Sequence, residues 1–208
     1  MSNRLAISLE NDTVLAAQQL VGRVLVRVDE RGRRRSGRIV ETEAYTQYDP
    51  SSHSYRGPSA RNAPMFEAPG VAYVYLIYGV HHCLNISTAP EGTGEAVLIR
   101  ALEPIEGIEA MMHSRSVAEI TTLCSGPGKL CQAMEIDRSF NGTNLLDSRS
   151  VLRIEPGQYR RPEQLDRTFR IGLSRAQCER LRFVEKGSRF LSRGPASETP
   201  VTRAVRRR

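Results

Sequence analysis

Glu41 and Glu43 stand two residues apart in V-E-T-E-A-Y, and Tyr45 follows at the same interval. Six of the seven tyrosines lie between Tyr45 and Tyr78, a stretch that also carries His53 and Arg61, with Asn85 close behind. Tyrosines recruited to fill a core would not bunch this way. A carboxylate among flat aromatic faces, in a chain of net charge +7, is a combination able to hold a nucleobase and to do chemistry beside it. The functional centre is expected between about residue 38 and residue 131.

Each of these residues also has a plainer use. Two carboxylates held close on one strand face repel when ionised, and one pKa rises; the alternative is one structural and one exposed glutamate. His53, in D-P-S-S-H-S, either meets a ligand or closes a turn. Tyr73 and Tyr75 flank Val74, so both face one side of a strand, as they would in an ordinary core. Tyr78-Gly79 is less ordinary, because a turn seldom favours a large exposed aromatic. One use for it is as a wedge that unstacks a duplex. S-G-P-G-K-L (125–130) is no Walker A sequence, since Leu130 follows Lys129. Its backbone N–H groups, with Lys129 beside them, either hold one nucleic-acid phosphate or form a structural turn. No metal site is expected. His81, His82 and Cys83 are consecutive on a strand and cannot converge on one ion, and the spacing of Cys124 and Cys131 is not that of zinc ligands.

The elements that must position these groups follow from periodicity and punctuation. Residues 11–18 read as a short helix, with Asn11 or Asp12 available as N-cap. Residues 20–45 form a hairpin of two alternating strands around the charged turn at Gly32. That pattern puts Glu41, Glu43 and Tyr45 on one face, with Thr42 and Ala44 on the other. Residues 46–70 are a long Pro/Ser/Gly/Asn-rich loop. Residues 71–87 form a second hairpin with Tyr78 at or near its tip. Residues 96–104 are a strand, 104–118 a helix, and 125–136 a turn opening a helix. Short strands follow at 151–156 and 169–175, a turn of helix at 176–181, and a closing segment at 181–194. Without βαβ alternation the class is α+β: a single domain over residues 1–193, with a curved, mainly antiparallel sheet, flanking helices and a protruding hairpin. Residues 194–208 are expected to be a basic, flexible tail.

Composition sets the surroundings. The 208 residues are 39% hydrophobic and 25% charged, ordinary for a globular protein. No segment approaches the ~18 apolar residues of a membrane span, and no signal peptide is expected at the N-terminus. The four cysteines are too sparse for a disulfide framework, which points to buried thiols in a reducing compartment. Residues 151–208 hold fifteen basic and six acidic residues, a local +9, whereas residues 1–150 are near neutral. Such a segment is either a solvated basic surface or an attraction to a polyanion.

Taken together, these residues resemble the alkyladenine (3-methylpurine) DNA glycosylase family. The matching stretches are R-I-V-E-T-E-A-Y (38–45), S-H-S (52–54), R-N-A-P-M-F (61–66), P-G-V-A-Y-V-Y-L-I-Y-G (69–79), C-L-N-I-S (83–87), L-I-R-A-L-E-P (98–104) and C-S-G-P-G-K-L-C-Q-A (124–133). A weaker match closes the domain at 181–183 and 187–192. The resemblance spans roughly residues 10–193 in one order, and it is the ordered set that is specific.

The resemblance implies that a damaged purine nucleotide is flipped from duplex DNA and its N-glycosidic bond hydrolysed. By position, Glu43 matches the general base and Arg100 the arginine that helps place the water. Tyr45, His53 and Tyr75 match the walls that sandwich the base. Asn85 matches the group that crowds the exocyclic amine of a normal guanine. Tyr78 matches the wedge, carried on a hairpin that enters the minor groove; Lys129 and Met65 match DNA contacts. Implied substrates are 3-methyladenine, 7-methylguanine, hypoxanthine and 1,N6-ethenoadenine. With two lysines, neither near Glu43, the enzyme is expected to be monofunctional and cofactor-free; one flipped nucleotide needs one site, so a monomer acting on double-stranded DNA is expected, cytoplasmic in a bacterium or nuclear in a eukaryote. The chain departs from the pattern in a slightly shorter loop between Tyr45 and His53 than in vertebrate members. It also carries His81 and His82 where bulky aromatics often stand. A lesion binder without hydrolysis is the competing reading, and Glu43 argues against it.

Overall fold

The computed structural model describes residues 9–192; the basic tail expected over 194–208 lies outside the described residues. Helix α1 (Thr13–Leu20) starts where Asp12 Oδ1 accepts from the N–H groups of Val14 (2.8 Å) and Leu15 (3.0 Å). Thr13, Ala16, Ala17 and Leu20 form its buried stripe, and Thr42 Oγ1 donates to the Ala17 carbonyl at 2.8 Å, joining α1 to the central strand. The cap sets the helix slightly later than expected. Asp12→Ala is expected to cost about 1 kcal/mol and to lower Tm by roughly 2–4 °C in a thermal melt. An unchanged Tm would show that the cap adds nothing.

Strands β1 (Val24–Val28) and β2 (Arg34–Tyr45) make the first hairpin. β2 is the spine of the molecule. One edge pairs with β1 and, farther along, with β8 (Arg182–Glu185); the other pairs with β5 (Ala96–Glu106). Register shifts interrupt β2–β5 at Ser36/Gly37, Ile39/Glu41 and Glu41/Thr42, and such bulges bend and twist a sheet. The second hairpin joins β3 (Ala72–Ile77) to β4 (His81–Ser87). Tyr78 (φ 54°) and Gly79 (φ 73°) are both left-handed at its turn. Such a turn matches the twist of the flanking strands, at some strain for Tyr78.

With β6 (Leu152–Glu155), the order is β3-β4-β5-β2-β1-β6, and β7 (Leu165–Thr168) joins through β8. The result is a curled antiparallel sheet with helices α1, α2 (Ile108–Arg115), α3 (Ile120–Leu123) and α4 (Pro127–Met134), an α+β single domain. Leu25, Ile39, Leu84, Ile99, Leu130 and Phe183 lie in one core between sheet and helices. No described helix is long and apolar enough to cross a membrane.

Four expectations need correction. The helix expected over 104–118 begins only at Ile108, because Pro104 to Glu106 remain in β5, and Ser116 (φ 52°) ends it. Residues 169–175 are not a strand: β7 ends at Thr168, and the chain then turns inward so that Arg170 meets Asp49. Residues 176–181 are not helical, since Ala176 is left-handed (φ 46°). Cys178, in that irregular segment, is exposed, while Cys83, Cys124 and Cys131 are buried as expected.

Candidate active site

A cleft of about 550 Å³ opens between the β3–β4 hairpin, the 50–56 loop and the 171–175 segment. β3 supplies Tyr73 and Tyr75, whose rings lie 5.3 Å apart at 31°. His53 meets Tyr75 edge-on at 4.5 Å, and its Nδ1 shares a 2.9 Å hydrogen bond with the Tyr73 hydroxyl. Asn62 fixes the loop that carries His53: its Nδ2 donates to the carbonyls of His53 (2.9 Å) and Gly57 (3.1 Å). Partial burial, and then Arg61, hold the His53 pKa below the usual 6.5. Its ring is therefore mostly neutral near pH 7 and suited to stacking. Asn85 lines the cleft and is fixed by Nδ2 donating to the Tyr73 carbonyl at 3.1 Å.

Behind this aromatic wall lies a buried ionic cluster. As the strand alternation predicts, Glu41, Glu43 and Tyr45 share a face, and Arg100 from β5 lies between the two glutamates. Glu43 Oε2 accepts from Arg100 Nη1 (3.0 Å) and the Tyr45 hydroxyl (2.8 Å), and its Oε1 from the Ile171 N–H (2.8 Å). Glu41 accepts from Arg100 Nε (2.9 Å), Arg182 Nε (2.7 Å) and both the N–H and Oγ of Ser192 (2.7 and 2.6 Å).

Both glutamates are fully buried, so neither is the exposed partner that the plainer reading required. The expected rise in one pKa is also corrected for Glu41. Burial alone would raise it, but Arg100, Arg182 and Ser192 hold it below the usual 4.5. Tyr45 goes the other way: burial, then Glu43, push its hydroxyl well above 10. It stays protonated and can donate to Glu43. Arg100 and Tyr45 reach the cleft directly, and Glu43 lies one hydrogen bond behind them.

Tyr78 is 75% exposed at the hairpin tip. Ile77, just before it, and Pro127, at the start of α4, both line the cleft, so hairpin tip and helix start flank its mouth. Lys129 is exposed on the first turn of α4, with Nζ donating to Ser125 Oγ at 3.2 Å. Met65 is placed differently from an outer DNA contact. It is 2% exposed and packs with Tyr73 in the cleft wall. Cys83 opens into this cleft, while His81, His82 and His113 line a separate groove. Among the described residues no group of three or more His, Cys, Asp or Glu is placed to hold a metal ion.

Several site residues gave no local sequence signal. Arg56 and Arg175 line the cleft, and Arg170, Arg182 and Ser192 approach its buried charges from the far end of the chain.

Comparison with known proteins bears on the same residues. The profile of the methylpurine-DNA glycosylase (MPG) family matches residues 7–189. A relative from Methanoculleus marisnigri, provisionally named a 3-methyladenine DNA glycosylase, is 47% identical over 186 residues, covering 88% of this chain and 95% of its own. Relatives with the same provisional name from Francisella tularensis (44% over 192 residues, 92% and 99% covered) and Chlorobium phaeovibrioides (45% over 187 residues, 89% and 94%) match over most of the chain. With the match running through both hairpins, the ionic cluster and β8, the chain belongs to the methylpurine-DNA glycosylase family, whose members are hydrolases of N-glycosyl bonds in DNA.

Proposed function

We propose that this protein binds double-stranded DNA as a monomer and flips out 3-methyladenine, 7-methylguanine, hypoxanthine or 1,N6-ethenoadenine. It then hydrolyses the N-glycosidic bond with a water activated by Glu43. The observation that carries this reading is the fully buried Glu43, joined through Arg100 and Tyr45 to a cleft walled by aromatic rings. The base lies among Tyr45, His53 and Tyr75, and Asn85 crowds a normal guanine. Water enters beside Arg100 as the Tyr45–Glu43 bond opens. Its oxygen bonds to C1′, Glu43 takes the proton, and the glycosidic electron pair leaves with the base, yielding an abasic site. A purine alkylated at N3 or N7 is a cation and departs neutral without acid catalysis; hypoxanthine must gain a proton.

No amine is needed. Lys129 and Lys186 lie outside the cleft lining, with Nζ on Ser125 Oγ and the Glu163 carbonyl, which favours a monofunctional enzyme. Outside the cleft, Tyr78 enters the minor groove on its hairpin and Lys129 meets a phosphate, while Arg56 and Arg175 meet phosphates from the cleft wall. Met65 supports Tyr73 from the cleft wall.

The test is single-turnover base release from duplexes bearing hypoxanthine or 1,N6-ethenoadenine, and from methylated DNA. Alkali-labile sites without a borohydride-trapped adduct are expected. Tight lesion binding with no release from any substrate would instead establish a binding module. Tyr78→Ala is expected to leave Tm unchanged and to weaken binding of the lesion duplex roughly tenfold, the scale of one lost base-stacking contact. Undiminished affinity in a fluorescence-anisotropy titration would remove the wedge from the scheme.

A further inference from the structure

The Arg170 side chain is fully buried and its Cζ lies 4.7 Å from the centroid of the Tyr45 ring. Tyr45 lines the cleft and Arg170 does not, so the guanidinium sits over a ring that itself reaches the cleft. Nη1 donates to Asp49 Oδ2 and, at 3.0 Å, to the Ala44 carbonyl. Nε and Nη2 have no hydrogen-bond partner, and Glu179 lies 3.6 Å from Nη2. Leaving buried donors unsatisfied is costly, so hydrogen bonding alone does not account for a guanidinium here. Asp49 is its counter-charge: burial would raise the Asp49 pKa, but Arg170 and Ser51 hold it below the usual 3.8.

We propose that Arg170, acting through the Tyr45 ring, sets the charge preference of the cleft, favouring neutral damaged purines over cationic ones. This inference rests on the function proposed above and deepens it. An aromatic ring attracts cations to both faces through its quadrupole. A guanidinium on one face lowers what the other can offer a second cation. A base arriving as a cation, such as 7-methylguanine, therefore gains less from Tyr45. A neutral base such as hypoxanthine stacks on the ring without needing that attraction, so it forgoes nothing on binding. Asp49 tempers the effect. Arg170 is thus a positioning and specificity residue that touches neither water nor sugar.

The experiment is a competition assay that reads the ratio of kcat/KM for 7-methylguanine to that for hypoxanthine, each in the same duplex. Arg170→Met paired with Asp49→Asn, which removes both charges together, is expected to raise that ratio roughly threefold or more. Asp49→Asn alone leaves Arg170 uncompensated and is expected to lower it. A merely structural role would slow both substrates alike in both proteins, and an unchanged ratio overturns the proposal. If the double variant does not fold, Asp49→Asn decides: a lower ratio supports the inference, and an equal or higher ratio ends it. Wild type releasing neither base would mark failure of the hydrolase reading itself, before any ratio is compared.

Discussion

Glu43→Gln is expected to slow single-turnover base release by about 10²–10⁴-fold, the usual contribution of a positioned general base, while lesion-duplex binding persists. Glutamine keeps the shape of the side chain. Its carbonyl oxygen can still accept from the Ile171 N–H (now 2.8 Å from Oε1), and its NH2 then lies where Arg100 and Tyr45 donate. The Tyr45 hydroxyl can turn to accept; Arg100 cannot. The variant retains the stacking walls: His53 is held by Tyr73 and Asn62, and the Tyr45 hydroxyl keeps a partner by turning to accept. A rate within a few-fold of wild type on a neutral and a cationic lesion would place the base elsewhere. Loss of binding in parallel with rate would mean that the cleft itself had collapsed.

Arg100→Met should show the second large effect, in stability as well as rate. Arg100, its side chain only 8% exposed, pairs with both Glu41 and Glu43, which are fully buried. Removing one partner of a buried charge pair costs about 3–5 kcal/mol, or roughly 6–20 °C in Tm at this chain length. The pH dependence identifies the cause. Folding depresses the pKa of Glu41 below 4.5, so the unfolded chain binds its proton more readily, and acid favours unfolding. The stability that Arg100 lends to Glu41 is complete above 4.5 and is lost as pH falls through the depressed folded-state value. Thermal melts across that range should show wild type and variant converging in acid. A gap that stays constant with pH would mean that Arg100 stabilises through packing alone.

The elements that hold the site announce themselves in the sequence because each is a local pattern. Alternation marks β2, so the common face of Glu41, Glu43 and Tyr45 was legible, and Tyr78-Gly79 marked the tip of the second hairpin. The segment at 169–175 misled for a related reason. Phe169, Ile171 and Leu173 alternate as a strand would, yet no edge of the sheet takes them. The Ile171 N–H bonds Glu43 and Arg170 bonds Asp49 instead. Nothing near Arg170 or Ser192 hints at partners more than a hundred residues away. Nor did two glutamates separated by one residue disclose that Arg100 would come between them and hold the pKa of Glu41 down.

Those long separations have a consequence for synthesis. Glu41 finds its partners 59, 141 and 151 residues farther along the chain. Contacts of such span form late, because the intervening loops must close first. On the ribosome, Glu41 and Glu43 emerge long before Arg182 and Ser192. A chain released early keeps its first hairpin but leaves Glu41 short of Arg182 and of both Ser192 donors. The charged centre is completed only after Ser192 has emerged, so on the proposed mechanism a shorter fragment lacks the centre that base excision requires.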